Sequence, residues 1–197
     1  NLDIRLSASS IKLDGFELTD FAGGMIVKDR RLKLDIGNGS LAEGIVIGSI
    51  ELEQTDEHYS VVTNVNAGGV NPTAIGFLEN FSGIRPNGRS DVTIKLTSRA
   101  KAFIDLPNET SGSFSLVMKQ GQLVGLDFKD IRTSLTAENA QSENIQIGNS
   151  PIQSQVEDLA LNVAINRGVG WIEDSSFKIE EYSSKLSGKA DLRSGNL

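Results

Sequence analysis

The clearest indication of the fold is the segment Met25-Ile26-Val27-Lys28-Asp29-Arg30-Arg31-Leu32-Lys33-Leu34-Asp35-Ile36. Apolar and polar residues alternate after a charged triplet, and a second apolar run precedes it. Successive side chains of a β-strand point to opposite faces, so this alternation gives a strand one apolar and one polar face. The stretch therefore predicts a β-hairpin that turns at the charged triplet.

The same period of two recurs through most of the chain. Leu2-Asp3-Ile4-Arg5-Leu6 alternates, residues 45–52 read as one longer strand, and the pattern resumes at 159–165 and 186–192. Gly37-Asn38-Gly39 has the composition of a turn. These features predict an antiparallel sheet with one face buried and the other in water.

Three segments depart from the strand pattern and predict short helices. In residues 71–83, Asn71 is a candidate cap and Pro72 fits the first helical position. Residues 98–106 and 127–139 are the other two predicted helices, and all three would cover ends or edges of the sheet. The expected fold is mainly β: a bent or curved antiparallel sheet, groove-like or a sandwich, with two or three short helices.

Length and charge narrow the organisation and the partners. The 197 residues, 38% of them hydrophobic, suit a single domain spanning 1–197. The chain opens at Asn1 inside a strand-like alternation, so we interpret it as a fragment of a longer protein, and any membrane anchor would lie outside this sequence. The net charge is −7 with no cluster of basic residues, which argues against nucleic acid as a partner.

Residues that carry chemistry are sparse. His58 is the only histidine and there is no cysteine, so we expect no metal, no cofactor and no catalytic residue. His58 is interpreted as an exposed residue at the start of a strand, and no Gly-x-Ser-x-Gly nucleophile motif is present. Trp171 is interpreted as a core or edge aromatic, with stacking on a sugar ring as the alternative. We therefore predict that the protein is not an enzyme.

The order of several short phrases resembles a known family. The phrases are Leu2-Asp3-Ile4-Arg5-Leu6, Ile11-Lys12-Leu13-Asp14-Gly15-Phe16, Gly44-Ile45-Val46-Ile47-Gly48, Gln120-Gly121-Gln122-Leu123-Val124-Gly125-Leu126-Asp127 and Ser187-Gly188-Lys189-Ala190-Asp191-Leu192. In this order they resemble the C-terminal periplasmic domain of the AsmA-like family, which is related to the TamB/YhdP-type bridge-like lipid transfer proteins. The resemblance covers nearly the whole chain.

The resemblance implies a function and a location. It implies a Gram-negative periplasmic domain behind an inner-membrane anchor, with a role in outer-membrane homeostasis. Phospholipid handled or conducted between membranes is the first hypothesis, and a scaffold that assists outer-membrane protein assembly through protein contacts is the alternative. A carbohydrate-binding or hydrolytic domain is a third.

The lipid hypothesis needs an apolar surface, and three strands offer candidates. Apolar residues at alternate positions of each strand share a face. The candidate lipid-contacting residues are Val46, Ile50, Leu52, Val92, Ile94, Leu96, Phe114, Leu116 and Met118. The sequence leaves open whether they form an open groove or a filled core.

Overall fold

Eleven β-strands form the described part of the chain, and all of them belong to one antiparallel sheet. The computed structural model describes residues 1–13, 16–74, 85–125, 153–179 and 182–191. The strands are β1 (Leu2–Leu13), β2 (Phe16–Lys28), β3 (Arg31–Leu41), β4 (Gly44–Gln54), β5 (Tyr59–Val70), β6 (Arg85–Asn87), β7 (Ser90–Ala100), β8 (Ser111–Val124), β9 (Gln153–Asn166), β10 (Val169–Ile179) and β11 (Tyr182–Asp191). The predicted mainly β, curved antiparallel sheet is confirmed.

The strand order in space follows the order in sequence. β1 to β5 lie side by side, then β7 to β11, while the short β6 pairs with β8 beside this path. Within the described residues β1 and β11 are the two edges of the sheet. Since every described strand is in the same sheet, this part of the protein is a curved single layer rather than a sandwich of two sheets.

The hairpin predicted from residues 25–36 is present where the sequence indicated it. Lys28 pairs with Arg31, and the two residues between them, Asp29 and Arg30, have φ values of 47° and 61°. Positive φ at both central residues is characteristic of a type I′ turn, whose backbone twist matches the twist of the two strands that it joins.

The turn predicted at Gly37-Asn38-Gly39 is wrong. β3 continues through these residues to Leu41, and the register with β4 shifts between Ile36 and Gly39, as in a β-bulge. Gly39 is buried, and a Cβ added there would lie 3.3 Å from Cγ1 of Val46. The glycine therefore serves close packing, and the chain turns later, at Ala42 and Glu43.

The helix predictions had three different outcomes. Pro72–Ala74 is a 3-10 turn, with Asn71 Oδ1 accepting hydrogen bonds from the Thr73 backbone N–H at 3.2 Å and from Thr73 Oγ1 at 2.6 Å. The Asn71 cap is thus confirmed, while residues 75–83 of that prediction and all of 127–139 lie outside the described residues.

The helix predicted at residues 98–106 is wrong in its first part. β7 continues as a strand to Ala100, which pairs with Tyr59 of β5. Only Phe103–Asp105 and Pro107–Glu109 form 3-10 turns. Backbone pairing with β5 satisfies the hydrogen bonds that a helix would otherwise have made.

The hydrophobic core lies towards one end of the sheet. Its buried side chains come from the start of β2, β4, β7 and β9 and from the end of β5, β8 and β10. They are Leu18, Phe21, Val46, Ala67, Val70, Val92, Leu116, Met118, Leu123, Val156, Leu159 and Ile179. Antiparallel order brings these starts and ends together, and we call this part of the sheet the buried end.

Candidate functional site

The nine residues predicted from three strands lie on one face of the sheet. Val46 pairs through Ala67 with Val92, and Val92 pairs with Leu116. Directly paired residues of neighbouring strands point to the same side. With Ile50, Leu52, Ile94, Leu96, Phe114 and Met118 at alternate positions along the same strands, all nine share what we call the apolar face.

Burial divides the nine into two groups. Val46, Val92, Leu116 and Met118 are only 4, 8, 2 and 0% exposed and belong to the core. The other five are half-buried, and they are Ile50, Leu52, Ile94, Leu96 and Phe114. The apolar face is thus a filled core over part of its length and partly accessible over the rest.

The accessible part is at the opposite end of the sheet from the core. Apolar-face residues from the end of β2, the start of β3, the end of β4 and the start of β5 are all half-buried. They are Met25, Val27, Leu32, Leu34, Ile50, Leu52 and Val61. We call this region, together with Leu96 of β7, the half-buried end.

One row across the half-buried end shows its extent. Ile4 pairs with Met25, Met25 with Leu34, and Leu34 with Ile50. The row continues through Thr63 to Leu96. Neighbouring strands are about 4.8 Å apart, so the row crosses about 24 Å of sheet. All but one of its side chains are aliphatic or thioether groups, which offer contact without hydrogen bonding.

The opposite face of the sheet is charged in the same region. Lys33 Nζ lies 3.2 Å from Asp35 Oδ1 and 3.7 Å from Glu51 Oε1, and Arg31 forms a 2.8 Å ion pair with Glu53. The hydrogen bond from Lys33 to Asp35, and then their attraction, raise the pKa of Lys33. The polar face of β3 and β4 therefore carries ion pairs in this region, and the same row also exposes Ile26 and Val62.

Further along, the polar face carries a ladder of side-chain hydrogen bonds. Thr93 Oγ1 donates to Asn66 Oδ1 at 3.2 Å, and Ser115 Oγ donates to Asn162 Oδ1 at 2.8 Å. These four residues form a single row across β5, β7, β8 and β9. The two hydroxyl groups and the two amide oxygens are thus hydrogen-bonded to each other in pairs, and these cross-strand bonds help to hold the strands in register.

The family comparison agrees with this architecture. The model of the AsmA family matches residues 1–174. The chain belongs to the AsmA family. AsmA proteins are generally associated with the cell envelope and are linked to membrane lipid transport. No match was found among curated proteins or among solved structures.

Two further observations describe this AsmA-family chain. Its described residues include no helix that is long and apolar enough to cross a membrane. Over the same ranges, no group of three or more His, Asp or Glu side chains is arranged to hold a metal ion.

His58 lies in the turn between β4 and β5 of the AsmA chain. Its Nδ1 is 2.8 Å from Thr55 Oγ1 and 3.3 Å from a guanidinium nitrogen of Arg99. Thr55 Oγ1 also accepts the backbone N–H groups of Glu57 at 3.3 Å and His58 at 3.1 Å. The histidine is half-buried in a hydrogen-bonded turn, rather than exposed as the sequence suggested.

Trp171 lies on the polar face, 43% exposed. Lys189 Nζ is 5.0 Å from the centre of its ring, and the cross-strand neighbours of Trp171 are Lys189 and Ala164. A cation over the ring occupies the surface that a sugar would stack on. Trp171 is therefore an exposed aromatic on the face opposite the candidate residues, and it belongs neither to the core nor to an edge strand, because β10 pairs with both β9 and β11.

A feature missed by the sequence analysis is the loop 101–110 at the half-buried end. Leu106 is only 6% exposed, and its carbonyl accepts hydrogen bonds from Ser98 Oγ and, at 2.9 Å, from Thr110 Oγ1. Phe103 and Ile104 are 59% and 81% exposed. The adjacent bulky residues Phe103-Ile104 were the available signal, but the helix prediction obscured it.

Proposed function

We propose that this AsmA domain handles phospholipid, conducting it between membranes without catalysing a reaction. The half-buried end of the apolar face carries the proposal. It is a largely aliphatic surface, interrupted by Thr63, that is accessible from one side and backed by ion pairs on the other. An acyl chain needs contact of this kind and no directional bonds.

The energetics of acyl chains explain why such a surface is useful. Burying a CH₂ group is worth about 0.8 kcal/mol, so moving a sixteen-carbon chain through water costs about 12 kcal/mol. Each half-buried side chain that covers part of the chain lowers this cost. Ile50, Leu52 and Leu96 are placed to do so, as are the outer parts of Ile94 and Phe114.

The buried end has a supporting role in this proposal. Val92, Leu116 and Met118 fix the curvature and register of β7 and β8 by close packing. Because their side chains are almost fully enclosed, they are not proposed to touch lipid. The lipid-contacting set is therefore Ile50, Leu52, Ile94, Leu96 and Phe114.

Membership in the AsmA family supports the setting. Envelope association fits a periplasmic domain of an inner-membrane-anchored protein in a Gram-negative cell, with outer-membrane homeostasis as the outcome. A non-enzymatic role fits the way His58 is used, since its Nδ1 is engaged by Thr55 and Arg99 inside a turn. Lipid handling asks for neither a cofactor nor a metal.

Native mass spectrometry tests the proposal directly. The domain, extracted mildly from cells and purified, should carry co-purified phospholipid that organic solvent removes. A Leu52→Asp variant should lose that lipid, while an Ile47→Asp variant on the polar face should keep it. Ile47 is 47% exposed, so the control adds the same charge to the same strand. Domain that never carries phospholipid would refute the proposal.

A scaffold for outer-membrane protein assembly is the second candidate, and β1 favours it. Within the described residues β1 pairs only with β2, and Leu2 and Leu6 on it are 49% and 42% exposed. An edge strand can accept a strand from another chain. A photo-crosslinking residue at Arg5 should then capture an outer-membrane assembly protein in cells, whereas one at Lys95 in β7, which is paired on both sides, should not.

A further inference from the structure

The loop 101–110 joins β7 to β8 and carries two exposed apolar side chains in its first half. Phe103 is 59% exposed and Ile104 is 81% exposed, the largest exposure among the exposed large hydrophobic residues of the described chain. They are adjacent in sequence and lie in a 3-10 turn, Phe103–Asp105. We call Phe103 and Ile104 the tip.

The tip is held firmly although it is exposed. Leu106 anchors the loop by burial, and its carbonyl accepts hydrogen bonds from Ser98 and Thr110. Backbone hydrogen bonds from Asp105 to Ala102 at 3.1 Å and from Leu106 to Phe103 at 3.2 Å close the turn. The two side chains are thus presented at a fixed position.

The tip stands beside the half-buried end of the apolar face. The Phe103 ring meets the ring of Tyr59 edge-on, with centroids 6.0 Å apart. Tyr59 precedes Val61 by two residues on β5, so the two point to the same face. The exposed side chains therefore lie where the accessible aliphatic surface reaches the margin of the sheet.

The apolar area of the tip indicates which kind of partner it contacts. Two aromatic or aliphatic side chains offer about 300 Å², whereas a stable protein interface buries about 800 Å² on each partner. Insertion into a bilayer interface requires a smaller apolar area, because a few apolar side chains flanked by polar ones can enter it. Lys101 and Asp105, both exposed, flank the tip.

The charges around the tip and on the whole chain indicate which kind of phospholipid bilayer it contacts. The tip has one basic and one acidic neighbour, and the whole chain carries a net charge of −7. Attraction to an anionic surface is therefore absent, and insertion has to come from apolar transfer. A surface of zwitterionic phospholipid fits these charges.

From these observations we infer that Phe103 and Ile104 insert into the interface of a zwitterionic phospholipid bilayer and set the half-buried end against it. The inference rests on the proposed lipid function, because it supplies the point at which lipid passes between bilayer and sheet. It assigns a membrane-docking role to a loop with no part in the sheet itself.

Absence of cysteine makes a clean test possible. Ile104→Cys carries the environment-sensitive fluorophore NBD, and Lys119→Cys at the far end of β8 carries the same label as a control. Both proteins are mixed with millimolar phosphatidylcholine vesicles that contain a doxyl-quencher lipid. Quenching at position 104 and none at 119 is the expected result. No quenching at 104, or equal quenching at both positions, would overturn the inference.

Flotation of the unlabelled protein with the same vesicles provides a second measurement. A Phe103→Ser/Ile104→Ser double variant should bind about a hundredfold more weakly, because each lost side chain is worth about a factor of ten in partition. Equal flotation of the double variant and the wild type would contradict the inference. Both replaced side chains are largely exposed, so folding is expected to survive, and the far-UV spectrum checks this.

The two proposals fail in different ways. Co-purified phospholipid reports on the half-buried end, whereas quenching at position 104 reports on the tip. Bound lipid without quenching at position 104 would refute the docking role alone. Quenching at position 104 of the labelled Ile104→Cys protein, together with wild-type protein that never carries lipid, would count against the proposed lipid function alone.

Discussion

The ring of Phe103 meets the ring of Tyr59 edge-on, with centroids 6.0 Å apart and an interplanar angle of 84°. The contact joins the β7–β8 loop to the first residue of β5. Edge-to-face geometry places the positive ring edge against the negative ring face, and such pairs contribute about 0.5–1.5 kcal/mol. The pair therefore fixes the position of the loop at the half-buried end.

Replacing Tyr59 tests this contact. Tyr59→Ala should lower the free energy of unfolding by about 1 kcal/mol or more and increase amide hydrogen exchange in residues 101–110. Tyr59→Phe should retain the ring contact and lose only the hydrogen bond from Gln54 Nε2 to the Tyr59 hydroxyl, which is 3.2 Å long. Equal exchange in the two variants would show that the rings do not hold the loop.

The buried end should depend on close packing. Leu116→Ala should lower the free energy of unfolding by about 2–5 kcal/mol, because Leu116 is 2% exposed and its loss leaves a cavity. Val117→Ala is the matched control on the opposite face, where Val117 is 38% exposed. Urea denaturation should show a much smaller change for the control. Similar losses for both would mean that the core does not lie on this face.

At the half-buried end, a charge should affect lipid more than folding. Leu96→Asp leaves the new carboxylate partly hydrated, so melting should shift less than for Leu116→Asp, where an enclosed carboxylate costs several kcal/mol. The Leu96 variant should nevertheless lose co-purified phospholipid, as measured by native mass spectrometry.

Val62→Asp is the control for this change, because Val62 lies on the polar face of the adjacent strand and is 38% exposed. It should keep both fold and lipid. A Leu96→Asp protein that folds and still carries lipid would remove this residue from the lipid-contacting set.

The ion pair between Arg30 and Asp56 should make the stability of the fold depend slightly on pH and on salt. The hydrogen bond from Arg30 lowers the pKa of Asp56, as does the attraction of its charge. The pair therefore stabilises the fold at pH values above the normal carboxyl pKa, and this contribution is lost as the pH falls through the lowered value.

Asp56→Asn should remove that part of the pH dependence of Tm. The difference from wild type should be small, because both side chains are largely exposed, and it should shrink in high salt. Identical acid transitions for wild type and variant at low salt would show that the pair adds nothing to stability.

The sequence predicted the strands well and the interruptions poorly. The hairpin through Asp29 and Arg30 was readable because alternation and turn chemistry agree there. The turn prediction at Gly37-Asn38-Gly39 was wrong, because glycine occurs both in turns and in β-bulges. Which of the two forms depends on how the neighbouring strand pairs. Ser98 to Ala100 stayed in β7 because β5 lies beside it to accept and donate hydrogen bonds.

The alternation and the order of motifs in the sequence were enough to predict a mainly antiparallel β protein of the AsmA type with one apolar face. Period-two alternation assigns each side chain to a face without any knowledge of its neighbours. That Leu116 is enclosed while Leu96, on the same face, is partly accessible became visible only in the folded chain. Burial depends on which strands pack nearby and on where a loop folds back, and those are contacts between residues far apart in the chain.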